Sequence, residues 1–309
     1  MKKLVKVLAL LVLAAALPFV CGAESQDVSA LKVSMPSGAP SLALATLARE
    51  NPANYTTVAA EAITAEFASA EADFIIAPLN AVAKLYRAGK STYKLAAVVT
   101  WGNLYFASQK ENFALEDLNG AAVTLFGEGT INASVALYAL EANGVTPGSV
   151  EYLAGAANTQ SLLLSDENAI VLTAEPALTA AKIKNEKISA VSLNALWQAA
   201  TGYEGFAQAG LFVKAALIES QPGLVDAYLK MAAESCRKCE EDLPAVAEAA
   251  VALEILPNAK VAMSAIPNCA IRFVGALEAR EQIEATARID VKQYGGEVPA
   301  DDFYYDGAK

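Results

Sequence analysis

The sequence contains no histidine at any of its 309 positions. Serine and cysteine hydrolases commonly use an imidazole as general base, so this absence disfavours that class of enzyme. Cysteines are also few: Cys236 and Cys239 form one CxxC pair, and Cys269 is distant in sequence. Without histidine or a second CxxC, a closed zinc site would need carboxylate ligands. We therefore expect no catalytic residue, no metal and no cofactor, while a disulfide from Cys269 to one of the other two stays open.

Long apolar runs are lacking except at the amino terminus. Residues 1–6 carry three lysines and residues 7–20 are apolar, which is the order of a secretory signal and too short to span a bilayer comfortably. Cleavage after Ala23 would remove residues 1–23 as a signal peptide, whereas cleavage before Cys21 would free that cysteine for lipid attachment. The sequence thus predicts an exported protein, either periplasmic or lipid-anchored through Cys21 at the outer face of the cytoplasmic membrane.

Basic residues are the scarcer charge. Removal of residues 1–23 takes three lysines away and leaves 20 basic against 34 acidic residues, a net charge of about −14. Such a surface repels phosphate backbones and anionic lipid, so we expect no nucleic-acid partner. The hydrophobic fraction of 55% excludes a disordered chain, and the remaining length suffices for one large domain or two medium ones.

Strand and helix patterns alternate over the first two thirds of the chain. This order predicts an α/β fold with parallel sheet and helices on both faces. After a further strand within residues 205–220, the chain is mainly helical to about residue 265. The unit from residue 121 to about 203 looks self-contained, and apolar strands flank it on both sides. The earlier predicted strands cover residues 31–35, 55–60, 74–78, 94–100, 104–108, 122–126, 149–154 and 169–175.

Seven segments, in this order, resemble the substrate-binding proteins of ABC importers, in the SsuA-like branch that takes nitrate, sulfonates, taurine and thiamine precursors. They are SGAPSLALATLA, ADFIIAPLNAVAKLY, YKLAAVVTWGNLYFAS, LEDLNGAAVTLFGEGT, TAEPALTAAK, AIPNCAIRFVG and GGEVPADDFYY. The resemblance implies a type II periplasmic-binding-protein fold with two lobes and a hinge. It places the first lobe at 24–108 and 205–309 and the second at 109–204. It also implies a small-molecule ligand and, as partners, an ABC permease with its ATPase subunits.

In open α/β sheets ligands bind outside the carboxyl ends of the strands, so residues at the predicted strand ends are the candidate site. Small residues and helix starts there offer backbone N–H groups, amides offer both donors and acceptors, and aromatic rings at the crossing could stack on a ligand. Each type also has an ordinary role as turn, helix cap or core. The candidate ligand-binding residues are Ser37, Gly38, Ala39, Ser41, Pro78, Asn80, Trp101, Asn103, Tyr105, Glu128, Gly129, Thr130 and Glu175.

The candidate loops contain no basic residue, whereas they do contain two carboxylates and aromatic rings. This composition favours a neutral or basic heteroaromatic vitamin precursor, and a small oxyanion such as a sulfonate or nitrate, held by backbone N–H groups, stays open. A surface lipoprotein that binds another protein is the alternative, and it would show a large exposed apolar patch and no enclosed cleft. Enzymes of the thiamine-pyrimidine synthase type resemble this fold but rely on histidine, so we expect no enzyme.

Overall fold

The computed structural model describes residues 27–307. The predicted signal peptide and the lipid-attachment residue Cys21 lie outside the described residues. No helix between residues 27 and 307 combines the length and the apolar character needed to cross a bilayer.

The described chain forms two sheets. Their strands are β1 (Val33–Pro36), β2 (Tyr55–Val58), β3 (Phe74–Pro78), β4 (Tyr93–Thr100), β5 (Leu104–Ser108), β6 (Ala122–Phe126), β7 (Ser149–Leu153), β8 (Ile170–Ala174), β9 (Ser189–Ser192), β10 (Ala209–Lys214) and β11 (Ile271–Gly275). The first sheet has the order β11-β4-β10-β3-β1-β2, and the second has the order β7-β6-β8-β5-β9. We call the part of the molecule built on each sheet the first lobe and the second lobe.

Helices connect the strands and cover the sheets. They are α1 (Ala45–Glu50), α2 (Glu66–Ser69), α3 (Leu79–Arg87), α4 (Ile131–Ala142), α5 (Ala156–Ser165), α6 (Ala177–Lys184), α7 (Leu193–Thr201), α8 (Ala215–Ser220), α9 (Pro222–Glu241), α10 (Leu243–Ala252), α11 (Ala259–Ala265) and α12 (Arg280–Ile289). Short 3₁₀ helices include Ala39–Leu44 after β1 and Val291–Tyr294 after α12. The predicted α/β fold class is confirmed.

The apolar runs of the sequence become strands that are buried on both faces. In β3, Phe74 and Ile76 lie in one apolar cluster, while Ile75 and Ala77 lie in another on the opposite face of the sheet. All four side chains are fully buried. Because successive residues of a strand point to opposite faces, a strand between two helical layers must be apolar at every position.

The sheets are mixed rather than purely parallel. β1 runs parallel to β2 and β3, and β6 runs parallel to β7 and β8, as the alternation predicts. Three of the described strands are exceptions: β5 and β10 run antiparallel to both of their neighbours, and β11 runs antiparallel to β4. β5 and β10 are the first strands that the chain forms after it passes from one sheet to the other, so no direct βαβ crossover links either of them to a neighbouring strand.

The boundary predicted after Ser108 leaves β5 in the first lobe, whereas β5 pairs with β8 and β9 in the second sheet. The change of sheet occurs earlier, within the three residues between β4 and β5. Gly102 has a φ of +82° there, and a Cβ at this position would lie 2.4 Å from Oδ1 of Asn194. Glycine therefore allows a sharp turn that is packed against the second lobe.

The three cysteines in the described residues, Cys236, Cys239 and Cys269, are free and buried in the core of the first lobe, so the disulfide that the sequence leaves open is not formed in this structure. Burial raises the pKa of each thiol, that of Cys239 to about 12. A reactive cysteine needs a lowered pKa, so these side chains act as small apolar core groups.

Candidate functional site

A cavity of about 310 Å³ lies between the two lobes. We call it the interlobe cavity. The first lobe contributes the ends of β1 and β3, the start of β10 and the first turn of α3, while the second lobe contributes the first turn of α4. The lining residues are Pro36, Ser37, Pro40, Ala60, Pro78, Asn80, Ala81, Thr130, Ile131, Asn132, Gln208 and Ala209. Its volume is at the lower end of the range for small-molecule sites.

Strand register brings the first-lobe wall together. Pro78 at the end of β3 pairs with Ala209 at the start of β10. The N–H of Leu79 then donates to the carbonyl oxygen of Gln208 at 3.0 Å, which ties the start of α3 to the segment that crosses from the second lobe. The break after the apolar run 74–78 thus occurs where the chain reaches the cavity.

Two helices begin at the interlobe cavity without a side-chain cap. α3 follows Pro78, and α4 follows Thr130, whose hydroxyl donates to the carbonyl oxygen of Gly127 at 2.6 Å instead of accepting from the helix. The N–H groups of Asn80, Ala81, Ile131 and Asn132 donate to no acceptor within the described residues. Free N–H groups at a helix start carry partial positive charge, so both walls attract a hydrogen-bond acceptor or an anion.

Three carboxamides supply most of the polar side-chain atoms of the cavity: Asn80, Asn132 and Gln208. Nε2 of Gln208 lies 3.4 Å from Oδ1 of Asn132 and forms a long hydrogen bond between the lobes. Oε1 of Gln208 is buried and has no partner in the described part of the chain. The lining contains neither a charged side chain nor an aromatic ring.

Four of the predicted site residues line the interlobe cavity: Ser37, Pro78, Asn80 and Thr130. Gly38 and Ala39 lie between the lining residues Ser37 and Pro40, with Gly38 at a φ of +105° before the 3₁₀ helix and Ala39 buried. Glu128 and Gly129 are exposed in the loop before α4. Ser41 is not part of the lining, because its hydroxyl is fully buried and donates to the carbonyl oxygen of Pro36.

Trp101 lies outside the interlobe cavity. Its side chain is 2% exposed, and Nε1 donates to the carbonyl oxygen of Arg272 at 2.9 Å. The guanidinium of Arg272 lies 4.8 Å from the centre of the indole ring and pairs with Glu204 at 2.7 Å. The ring therefore stacks on an arginine of its own chain. A smaller cavity of about 190 Å³ lies beside it at the hinge, by which we mean residues 101–103 and 202–208, where the chain passes between the lobes.

Asn103 and Glu175 form a second polar group near the hinge. Nδ2 of Asn103 donates to the carbonyl oxygen of Glu175, and the N–H of Glu175 donates back to the carbonyl oxygen of Asn103, both at 2.9 Å. The Glu175 carboxylate accepts from the N–H of Thr179 at 3.1 Å and from its hydroxyl at 2.9 Å. Burial raises the pKa of Glu175, and the Thr179 hydrogen bonds partly offset this.

Tyr105 completes this hinge group. Its hydroxyl donates to the carbonyl oxygen of Asn268 in the first lobe at 3.1 Å, and burial together with the nearby Glu175 raises its pKa to about 12. Trp101, Asn103, Tyr105 and Glu175, which we call the hinge group, bond to the protein itself and do not line the interlobe cavity. Their positions favour a role in holding the crossing segments.

Sequence reasoning missed two polar residues of the cavity, Asn132 and Gln208. Asn132 lies in the first turn of α4, two residues after the predicted Thr130, so the helix start itself was a usable signal. Gln208 comes before a strand instead of after one, and it reaches the cavity because β10 runs antiparallel to β3 and β4. Among the described residues, no group of three or more histidine, cysteine or acidic side chains is placed to hold a metal ion.

No protein-family model matches the sequence, and no characterised protein aligns with it significantly. Solved structures do match. An ABC transporter protein from Parabacteroides distasonis has a TM-score of 0.78 at 23% identity, with 90% of this chain and 99% of that chain covered. The periplasmic aliphatic sulphonate-binding protein SsuA from Escherichia coli has a TM-score of 0.70 at 13% identity, covering 91% and 93%.

The same fold also occurs in an enzyme. The desulfurization enzyme DSZB has a TM-score of 0.57 at 13% identity, covering 88% of this chain and 96% of that chain. Identities this low establish a shared architecture and leave the activity to the site itself. The fold expected from the sequence segments is confirmed: the described chain has the two-lobed α/β fold of the periplasmic substrate-binding proteins of ABC importers.

Proposed function

We propose that this protein is the extracytoplasmic solute-binding component of an ABC importer, and that it closes two lobes on a small molecule. The interlobe cavity carries the proposal, because both lobes contribute polar groups to it, and the N–H groups of its two helix starts and Oε1 of Gln208 lack partners in the described residues. A cavity whose donors come from helix starts of opposite lobes is suited to a ligand that bridges them.

The proposed mechanism is a shift between open and closed forms. A ligand that contacts Asn80 on the first lobe and Asn132 on the second binds the closed form better than the open one, and so raises the closed population by its differential affinity. The permease and its ATPase subunits would then recognise the closed shape. The predicted signal at residues 1–23 would place the protein outside the cytoplasm, with or without a lipid on Cys21.

A small oxyanion with a short apolar group suits the cavity better than a heteroaromatic vitamin precursor. The sequence favoured the heteroaromatic ligand because of Trp101, Glu128 and Glu175, and none of these lines the cavity. What lines it instead are uncapped helix starts, carboxamides and small apolar residues such as Pro36, Pro40 and Ala60. Alkanesulfonates combine an oxyanion, which the helix starts and carboxamides can bind, with an apolar chain, which the small apolar residues can contact. This choice agrees with the fold shared with the sulphonate-binding protein SsuA.

A surface lipoprotein that binds another protein is the weaker alternative. It would present a broad apolar patch, whereas the exposed large apolar side chains in the described residues are two, Met263 and Leu277. We also propose no enzymatic activity, because the chain has no histidine and its described cysteines have raised pKa values.

A thermal-shift screen of residues 24–309 tests the function. The panel should contain alkanesulfonates, nitrate, bicarbonate, amino acids, pyrimidines, thiamine and riboflavin. A ligand that binds only the folded protein at a hundredfold excess over its Kd adds about 2.7 kcal/mol of stability, which raises the Tm measurably. A Tm shift with an alkanesulfonate supports an oxyanion as the ligand. A shift with a pyrimidine instead supports a heteroaromatic ligand and leaves the solute-binding function unchanged. No shift with any compound, together with no small molecule in mass spectra of the denatured protein, would contradict solute binding.

A further inference from the structure

The first lobe reaches across to the start of α4 at three points. Nε2 of Gln293 donates to the carbonyl oxygen of Gly129, and the hydroxyl of Ser134 donates to Oδ2 of Asp290 at 2.9 Å. The third point is the long contact between Gln208 and Asn132 inside the cavity. All three second-lobe partners fall within residues 129–134, the segment that supplies the second-lobe wall of the interlobe cavity.

Asp290 and Gln293 lie outside that cavity. They belong to the short segment after α12, which includes the 3₁₀ helix Val291–Tyr294. Tyr294 is 1% exposed in the core, and Gly295, at a φ of +90°, passes so close to α3 that a Cβ there would lie 2.9 Å from Cδ of Arg87. The segment is therefore packed on α3, the helix whose first turn forms the opposite wall of the cavity.

Burial of the neighbouring tyrosine and the close approach to α3 give this segment a fixed position on the first lobe. From this position Gln293 bonds to the loop before α4, and Asp290 accepts a hydrogen bond from the first turn of α4. Neither contact involves a side chain that lines the interlobe cavity, so both join the lobes independently of a ligand. The free energy of closure thus includes direct contacts between the lobes in addition to those made through a ligand.

We infer that Asp290 and Gln293 are positioning residues that hold the start of α4 over the ligand site and favour the closed form through contacts that do not depend on the ligand. The inference rests on the proposed solute-binding function, since it assigns these residues to the control of that site. Contacts that favour the closed form raise the apparent affinity for any ligand that binds it, because a larger fraction of the protein is already competent to bind.

Small-angle X-ray scattering of the ligand-free protein, residues 24–309, tests the inference without knowledge of the ligand. We expect the double variant Asp290→Ala/Gln293→Ala to have a larger radius of gyration than the wild type. Ser134→Ala, which removes one contact from the second lobe and favours helix formation, should shift the radius in the same direction. Asp290→Asn keeps an acceptor oxygen and should retain the wild-type value, as should Gln221→Ala, an exposed residue of the first lobe without a side-chain hydrogen bond.

A second measurement uses sodium ethanesulfonate as the probe. Each hydrogen bond lost from the closed form should weaken the apparent affinity of the protein for ethanesulfonate by roughly two- to tenfold. Circular dichroism and the Tm report whether each variant folds. Equal radii for the wild type, the double variant and Ser134→Ala, all folded, would overturn the inference. If ethanesulfonate fails to bind the wild type while the radii differ as expected, the positioning role stands and the proposed ligand class is wrong.

Discussion

The interlobe cavity and the hinge group show the same sequence pattern, but they differ in whether their polar groups are hydrogen-bonded. Both contain polar residues placed where an apolar strand ends, such as Asn80 after β3 and Glu175 after β8. At the hinge, Asn103, Glu175 and Thr179 satisfy one another through four hydrogen bonds. At the cavity, the N–H groups of two helix starts have no partner in the described residues. Buried polar groups that are already paired hold structure, and those left unpaired are available to a ligand.

The largest effect that separates the two regions should come from Trp101→Ala. Loss of this buried ring leaves a void under Arg272 and the hinge crossing, and should lower the free energy of unfolding by about 3–5 kcal/mol. Urea unfolding followed by circular dichroism measures the change. A fully folded variant with unchanged stability but abolished ligand binding would move Trp101 from the hinge to the ligand site.

Glu175→Ala should have the next largest effect, again on stability. The substitution leaves the buried N–H and hydroxyl of Thr179 without their acceptor, which should lower the free energy of unfolding by about 1–3 kcal/mol. Ligand affinity, measured by calorimetry with the compound found in the screen, should change little. Glu167→Ala, an exposed carboxylate, is the control for loss of one negative charge.

The pH dependence of the same site gives a sharper test. Because burial raises the pKa of Glu175 above its ordinary value of 4.5, the folded protein binds this proton more tightly than the unfolded chain does. The resulting stabilisation is fully present at pH values below the ordinary pKa of 4.5, and it is lost as pH rises through the raised pKa of Glu175 in the folded protein. Wild type should therefore lose stability relative to Glu175→Gln across that window, and a constant difference at every pH would show that Glu175 is not perturbed.

Asn80→Ala should affect ligand binding and not stability, in contrast to the hinge substitutions. The change removes one amide from the first-lobe wall and should weaken ligand binding by about 1–3 kcal/mol while stability stays close to that of the wild type. Asn168→Ala, an exposed asparagine outside the cavity lining, is the matched control. Unchanged affinity in Asn80→Ala would remove this residue from the site.

The smallest effect with an expected magnitude comes from Asn80→Asp, which separates an anionic ligand from a neutral one. A carboxylate in the first turn of α3 interacts favourably with the helix dipole and should add about 0.3–1 kcal/mol of stability. The same charge should repel an oxyanion and weaken its binding, as calorimetry would show. Tighter binding of the same compound would contradict an anionic ligand.

The sequence predicts the strand β3, which is buried on both faces, and also the partly exposed strands β2 and β7. The run 74–78 is apolar at each position and forms β3. By contrast, β9 at the edge of the second sheet has four small or half-buried residues, Ser189–Ser192, and gives no such signal. The position of β5 in the second sheet depends on the turn at Gly102 and on packing against Asn194, which lies far along the chain.

The site was predictable only where its residues follow a strand. Asn80 and Thr130 do so, and both line the cavity. Gln208 precedes its strand and reaches the same edge because β10 is antiparallel, whereas strand alternation along the chain suggests a parallel sheet. Trp101 is of a residue type that often stacks on ligands, but its ring stacks on Arg272, which lies 171 positions away. The sequence does not show this contact.

A crystal structure of residues 24–309 with the compound that gives the greatest thermal shift tests the central claim most directly. We predict that the compound lies in the interlobe cavity, with its acceptor group at the first turns of α3 and α4 and within hydrogen-bond distance of Asn80 and Asn132. Two other cavities are large enough to compare: the outer groove of about 540 Å³ beside Phe273, Glu278 and Tyr305, and the hinge cavity beside Trp101. The compound in either of these positions would contradict the account.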